Sequence, residues 1–363
     1  MASRYWVTAG TSNWSTSGAG SGWSLTDGGA GGQVKPTASD DVFFTANSPV
    51  CTVDTAGVGL TLNFTGYAST ITMTAGLTIS GSVTLVAAMT ISGASGLIIN
   101  GTATLTSNGK TWPNALTLQS NTTSTLADNW TVTGTFGCAG GSTGTRTING
   151  NNVFCQTSLT VATNISMAGT TVVNLTGTGT WTSPTGTLTS VVINTSGTIT
   201  MAAAEIRFNT GTFTYTAGTV VTTGNTFTVG AATTLNTNGI IWNNVTVTGT
   251  QSTTLTSNLT AGTLFTFSGG HTTVNGSTIY ANTNLTVSST NGNFLGTSTV
   301  VMNGTGTFSM SQTTGTFANT VIIDTTGTIT ISNLLKITNP IIYKRGLLAG
   351  NIVGFPKTVF KLA

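Results

Sequence analysis

The chain has 363 residues, and only 5% of them are Asp, Glu, Lys or Arg, against about 25% in ordinary globular domains. With 38% hydrophobic residues and a formal net charge of +3, it lacks the high charge and low hydrophobicity of a disordered coil. It also lacks the run of about 18 apolar residues that a membrane helix needs. Thr (86 residues) and Gly (47) make up more than a third of the chain. Thr is β-branched and suits a pleated, half-exposed surface, while Gly and Asn supply turns with positive φ. No window places apolar residues at helical spacing over two or more turns, so the expected class is all-β.

Residues 1–50 differ from the rest of the chain. They hold Trp6, Trp14 and Trp23, then the Gly-rich run GAGSGWSLTDGGAGG, then PTASDDVFF ending at Phe44. Three tryptophans so close together can cover the open end of a repeat array, so this segment is expected to be an N-terminal cap or anchor. Asp40 and Asp41 are adjacent, and neighbouring residues on a strand point to opposite faces, which makes a turn or capping role the expectation. The opening MASRYWVTAG has no apolar signal core, so synthesis in a cytoplasm without a classical signal peptide is expected.

The pattern RYWVTAGTSNWST, a Gly-rich run and then PTASDDVFFTANS resembles the opening of Gly/Thr-rich structural proteins of bacteriophages, of fibre or appendage type, and of related bacterial surface adhesins. In those proteins a Trp-rich segment and a DDVFF segment precede a β-solenoid. Here Gly10-Thr11-Ser12-Asn13-Trp14 stands where Gly-Thr-Gly-Asn-Trp is usual, and the specific part covers only residues 1–50. The resemblance implies an elongated virion or surface component.

From residue 51 to 335 the chain reads as short alternating strands. Leu77-Thr78-Ile79, Leu116-Thr117-Leu118, Leu159-Thr160-Val161 and Leu285-Thr286-Val287 each put apolar side chains on one face and Thr on the other. Clusters of Gly, Asn, Ser and Thr punctuate them as turns. The stretch from Asn108 to Phe136 returns from Asn238 to Phe267, with Trp112 and Trp242 in matching places. Thr147-Ile148-Asn149-Gly150 returns as Thr273-Val274-Asn275-Gly276, and VVINTSGTITM (191–201) as VIIDTTGTITI (321–331). Offsets that drift slightly between such pairs suit turn insertions in a repeat array.

A period of about 130 residues is too long for one coil. It implies a right- or left-handed β-solenoid (β-helix) whose superrepeat spans several coils of about 20 to 30 residues. Tandem β-sandwich domains are the alternative. Residues 336–363 lose the Thr alternation, gain Pro340 and Pro356, and carry Lys336, Lys344, Arg345, Lys357 and Lys361. A basic, apolar C-terminal cap or docking tail is expected there.

The chemistry available is sparse. The carboxylates are Asp27, Asp40, Asp41, Asp54, Asp128, Glu205 and Asp324, and no pair of them stands at a recognisable catalytic spacing. Glu205 and Arg207, two apart on a strand, share a face and read as a surface ion pair. His271 is the one histidine, so His-based metal sites and Ser-His-Asp triads lack partners. Cys51, Cys138 and Cys155 show no metal-ligand spacing and read as buried thiols. The local rows Thr131-x-Thr133-x-Thr135 and Thr176-x-Thr178-x-Thr180 could order water, but they do not recur at a constant short interval. No catalytic, cofactor-binding or metal residue is assigned and no cofactor is expected.

The function expected is therefore that of a non-enzymatic virion structural protein, a phage fibre, spike or capsid-decorating appendage. The alternative is a bacterial surface adhesin or autotransporter-passenger-like domain, extracellular or on the cell surface. Expected partners are further copies of the chain (a trimer is one option), other virion proteins and a host surface glycan. Nucleic acid and membrane insertion are not expected.

Overall fold

The computed structural model describes residues 2–7, 12–119, 122–139, 144–183, 186–230, 232–249, 252–269, 272–288, 293–310, 316–332, 337–350 and 360–362. Every regular element among them is a β-strand, and the strands stack as a β-solenoid of about 14 turns. Among the described residues no helix is long and apolar enough to cross a membrane. Among the described residues the stacking is parallel apart from the pairing of Tyr5 and Trp6 with Ser24 and Trp23. This excludes the tandem-sandwich alternative, whose sheets are antiparallel.

The chain divides into two compact units, Met1–Thr182 with Thr195–Gly197, and Ser183–Asn194 with Thr198–Ala363. In the first, one coil runs through strands Thr70–Met73, Leu77–Ile79 and Val83–Thr84, and the next through Thr90–Gly93, Leu97–Ile99 and Ala103–Thr106. Three short strands thus make one turn. Leu77 pairs with Leu97, Leu97 with Leu116 and Leu116 with Phe136, so the chain advances by one short coil at each step. The step is shorter still from Phe227 to Val245 and longer from Thr123 to Thr147. The coils therefore lie at the short end of the expected range.

Alternation explains why the coils hold. In Leu77–Ile79 the outer two residues are buried and Thr78 between them is half-exposed. The next coils repeat this, so Ile79, Ile99, Leu118, Cys138 and Val161 form an inward stack. In the second unit Ile206, Phe227, Val245, Phe265, Leu285 and Phe308 do the same. Each such side chain contributes about 1.5–3 kcal/mol of burial, and parallel pairing satisfies the backbone of the coil above and below. A stack of like residues arises because the register is residue for residue.

Parallel pairing also reaches outside residues 51–335. Arg4 pairs with Val42 and Val42 with Leu62, while Ile341–Tyr343 pairs with Val321–Ile323 and then with Phe360–Leu362. Trp6, Trp14 and Trp23 are fully buried. Trp23 meets Trp6 and Trp14 edge-on at 5.0 and 4.8 Å, and Phe44 stacks on Phe64 at 4.9 Å. The tryptophans therefore pack on the inward aromatics of the first coils of their unit.

Candidate functional site

The duplicated stretch resolves into two copies of one hydrogen-bonded corner. Before Trp112, Asn108 and Gly109 have φ of 48° and 75°; before Trp242, Asn238 and Gly239 have 33° and 92°. Two successive positive φ values are what a type I′ turn requires, and Asn-Gly is its favoured pair. Lys110 N–H closes the first turn on Ser107 O and Ile240 N–H the second on Thr237 O, both at 2.9 Å. Ser107 Oγ donates to Asn129 O one coil on, and Thr237 Oγ1 to Asn258 O.

The acceptor below each turn differs in chemistry. Asp128 takes the backbone N–H groups of Ser107 and Asn108 at 2.7 and 2.6 Å, and Ser257 Oγ takes those of Thr237 and Asn238 at 2.7 and 2.8 Å. Both tryptophans are 1% exposed. Trp112 and Trp242 thus occupy the same local place twice, and Asp128 is bound up in holding it.

A second duplicated corner is set by glycine. Gly150 and Gly276 have φ of 94° and 97°, and a Cβ there would sit 2.3 Å from Leu126 O and 2.2 Å from Leu255 O. Only glycine allows that approach.

The other carboxylates are distributed in the same way. Asp40 accepts from the Thr37 N–H and hydroxyl at 2.9 and 2.8 Å and from Ala2 N at 3.2 Å, with Arg4 Nε 3.7 Å away. Asp41 accepts from Thr61 Oγ1 at 2.6 Å, so the adjacent pair serves two places. Asp54 takes the Ser15 N–H and hydroxyl at 2.9 and 2.5 Å. Asp27 takes Thr45 Oγ1 at 2.6 Å. Glu205 and Arg207 form the expected surface ion pair at 3.0 Å, and Asp324 meets Arg345 at 2.5 Å and Lys344 at 3.9 Å.

Every acidic side chain is thus engaged, and all but Glu205 clip one segment to another. Among the described residues no group of three or more His, Cys, Asp or Glu could hold a metal ion. His271, Lys336 and Lys357 lie outside the described residues, as does the side chain of Lys361.

The three cysteines are free and buried. Burial pushes the Cys138 thiol up to about 12 although Arg146 is near, and it raises Cys51 and Cys155 well above the usual thiol range, so all three are thiols at neutral pH. Arg146 is wholly buried. It donates to Gln119 O at 2.9 Å and to Ser124 Oγ, and burial brings its pKa down to about 10 against the opposing influence of Cys138. Sequence reasoning passed over this residue. Its signal was parity: in Thr145-Arg146-Thr147-Ile148 it shares a face with the buried Ile148.

What the surface offers is hydroxyl. In the second unit Thr246, Thr266, Thr286, Ser309 and Ser332 are successive register partners on one outward row, about 4.8 Å apart. Neighbours on the row can bond, as Thr286 and Ser309 do at 3.1 Å. The local rows expected at 131–135 and 176–180 instead bend through turns after Val132 and Leu175; the rows that form run across coils.

In the first unit a groove of about 360 Å³ opens between Ala87, Thr90 and Ile91 on one coil and Gly109, Lys110, Thr111 and Pro113 on the next. The Lys110 ammonium closes one side by donating to Met89 O. The groove therefore adjoins the Asn108–Gly109 turn and presents hydroxyls and a cation over apolar ground. Compared with known proteins, the chain matches no family model, no curated protein and no solved structure.

Proposed function

We propose that this chain is a non-enzymatic structural protein of a virion, a fibre, spike or capsid-decorating appendage of a bacteriophage. The observation that carries the reading is the use made of the charged groups. All the carboxylates but Glu205 are bound into clips between neighbouring coils or segments, and the repeated segments repeat corners, so the chemistry present serves the solenoid itself. The N-terminal Trp-rich segment and its DDVFF continuation support the virion assignment, because they resemble the opening of phage proteins of this type.

In this role the hydroxyl rows contact host glycans by hydrogen bonding, and the groove at Lys110 accommodates a sugar unit with its hydroxyls toward Thr90 and Thr111. Other virion proteins and further copies of the chain are its partners. Immunogold labelling of purified particles tests the reading: label at a regular position on the particle is expected. Label on the host cell envelope and none on particles would favour the surface-adhesin reading instead. Release of sugars from a capsular polysaccharide by the pure protein would overturn the non-enzymatic assignment.

A further inference from the structure

The outward rows of the second unit are not alike. One face carries the Thr and Ser row from Thr246 to Ser332, and on another Ser190, Thr212, Thr234, Thr254 and Asn275 are successive partners. On the remaining face the row is Ile241, Thr260, Tyr280, Val301, Ile322 and Ile342, again one residue per coil in unbroken register. Both neighbours of Tyr280, of Val301 and of Ile322 are buried, so alternation turns these three side chains outward. Ile241 is 56% exposed, among the most exposed apolar residues described.

Apart from Thr260 the row is aliphatic and aromatic, a contiguous patch rather than scattered exposure. Its borders are polar. Thr278, Thr299 and Thr320 run along one flank, half-exposed, and the Asp324–Arg345 pair closes the opposite flank. An apolar centre with a polar rim is the anatomy of a protein interface.

We propose that this face is where a second copy of the chain docks. The row itself holds no charged side chain from Ile241 to Ile342, so an acidic or basic partner gains nothing there. It also has a fixed period of about 4.8 Å, and its occupant must present an uncharged apolar row of the same period to seat side chains between side chains. A second copy of this same row meets both conditions. The patch measures roughly 30 Å by 20 Å from strand spacing and side-chain reach, roughly 1,200 Å² for the pair, at the lower edge of specific interfaces. The association is therefore reversible and weakly dependent on salt.

Sedimentation velocity on the purified full chain, from low to high micromolar and at two salt concentrations, tests this without any particle and so independently of the virion reading. The sedimentation coefficient is expected to rise with concentration at both salts. Val301→Arg is expected to abolish that rise while keeping the thermal midpoint, and Thr266→Arg on the hydroxyl face is expected to leave it intact. A chain that stays monomeric throughout, or a folded V301R that associates like the parent, overturns the proposal. Should V301R fail to fold, oxidised V301C decides: the native thiols are buried, so a covalent dimer supports the interface and its absence overturns it.

Discussion

The turns before the duplicated tryptophans each leave two adjacent backbone N–H groups, at Ser107 and Asn108 and at Thr237 and Asn238, that need acceptors. Asp128 supplies them in one copy and Ser257 in the other. The geometry asks for an acceptor one coil away and not for a charge. Asp128→Ala is accordingly expected to cost about 1–2 kcal/mol, read as a lower urea midpoint of the full chain, and Asp128→Ser to recover most of it. The tryptophans were legible as a repeat because Trp is rare and each keeps its place. The repeat also placed Ser257 or its neighbour opposite Asp128, but their shared acceptor role was not legible, since the letters differ and the partner is set by coil spacing. Gly150 and Gly276 were legible as repeated letters, but their reason, a carbonyl where a Cβ would be, required the neighbouring coil.

Among the elements, the N-terminal aromatic segment is tied to the first coils by carboxylates, and that makes it sensitive to acid. Burial alone would raise Asp40, but bonds from Thr37 and Ala2 and the charge of Arg4 outweigh it and hold the carboxyl below its usual 3.8. Asp54 is likewise raised by burial and lowered further by Ser15, its own backbone and Lys35, ending below 3.8. A carboxyl depressed in the folded state contributes stability that is complete above its unfolded pKa and is lost as pH falls through the folded value. Thermal midpoints are therefore expected to hold steady at neutral pH and fall below about pH 4. Asp54→Asn is expected to show a smaller fall than the parent over the same acid range. A drop beginning near neutrality would point to other groups.

At the scale of the whole molecule, stability is a sum over coils and their nearest-neighbour pairings. Val245 and Phe265 are register partners on successive coils, so removing residues 245–264 joins Asn244 to Phe265 and seats an inward side chain where one was lost. That deletion is expected to keep a cooperative melt and a β-type circular dichroism spectrum. Removing 245–263 instead places Leu264 inward and turns Phe265 out, reversing the pattern for the rest of the strand, and is expected to abolish the melt. Survival of both would mean that inward alternation does not set the register.

The residue letters alone determined the all-β class and the duplication, while the choice of solenoid over tandem sandwiches waited on the parallel register. Leu-Thr-Ile alternation, Asn-Gly turns and the Trp112/Trp242 spacing are local signals, and strand, turn and repeat follow from steric preferences of nearby residues. Tertiary structure alone decided which residues meet. Outward positions that meet are separated along the chain by a whole coil, whose length varies from turn to turn, so a change of turn length by one residue changes the partner of everything after it. For that reason the hydroxyl row from Thr246 to Ser332, the apolar row from Ile241 to Ile342 and the acceptor duty of Asp128 exist only once the coils are stacked. The Trp112 and Trp242 stretches mark the corners of that stack, and its surface is written in the register between them.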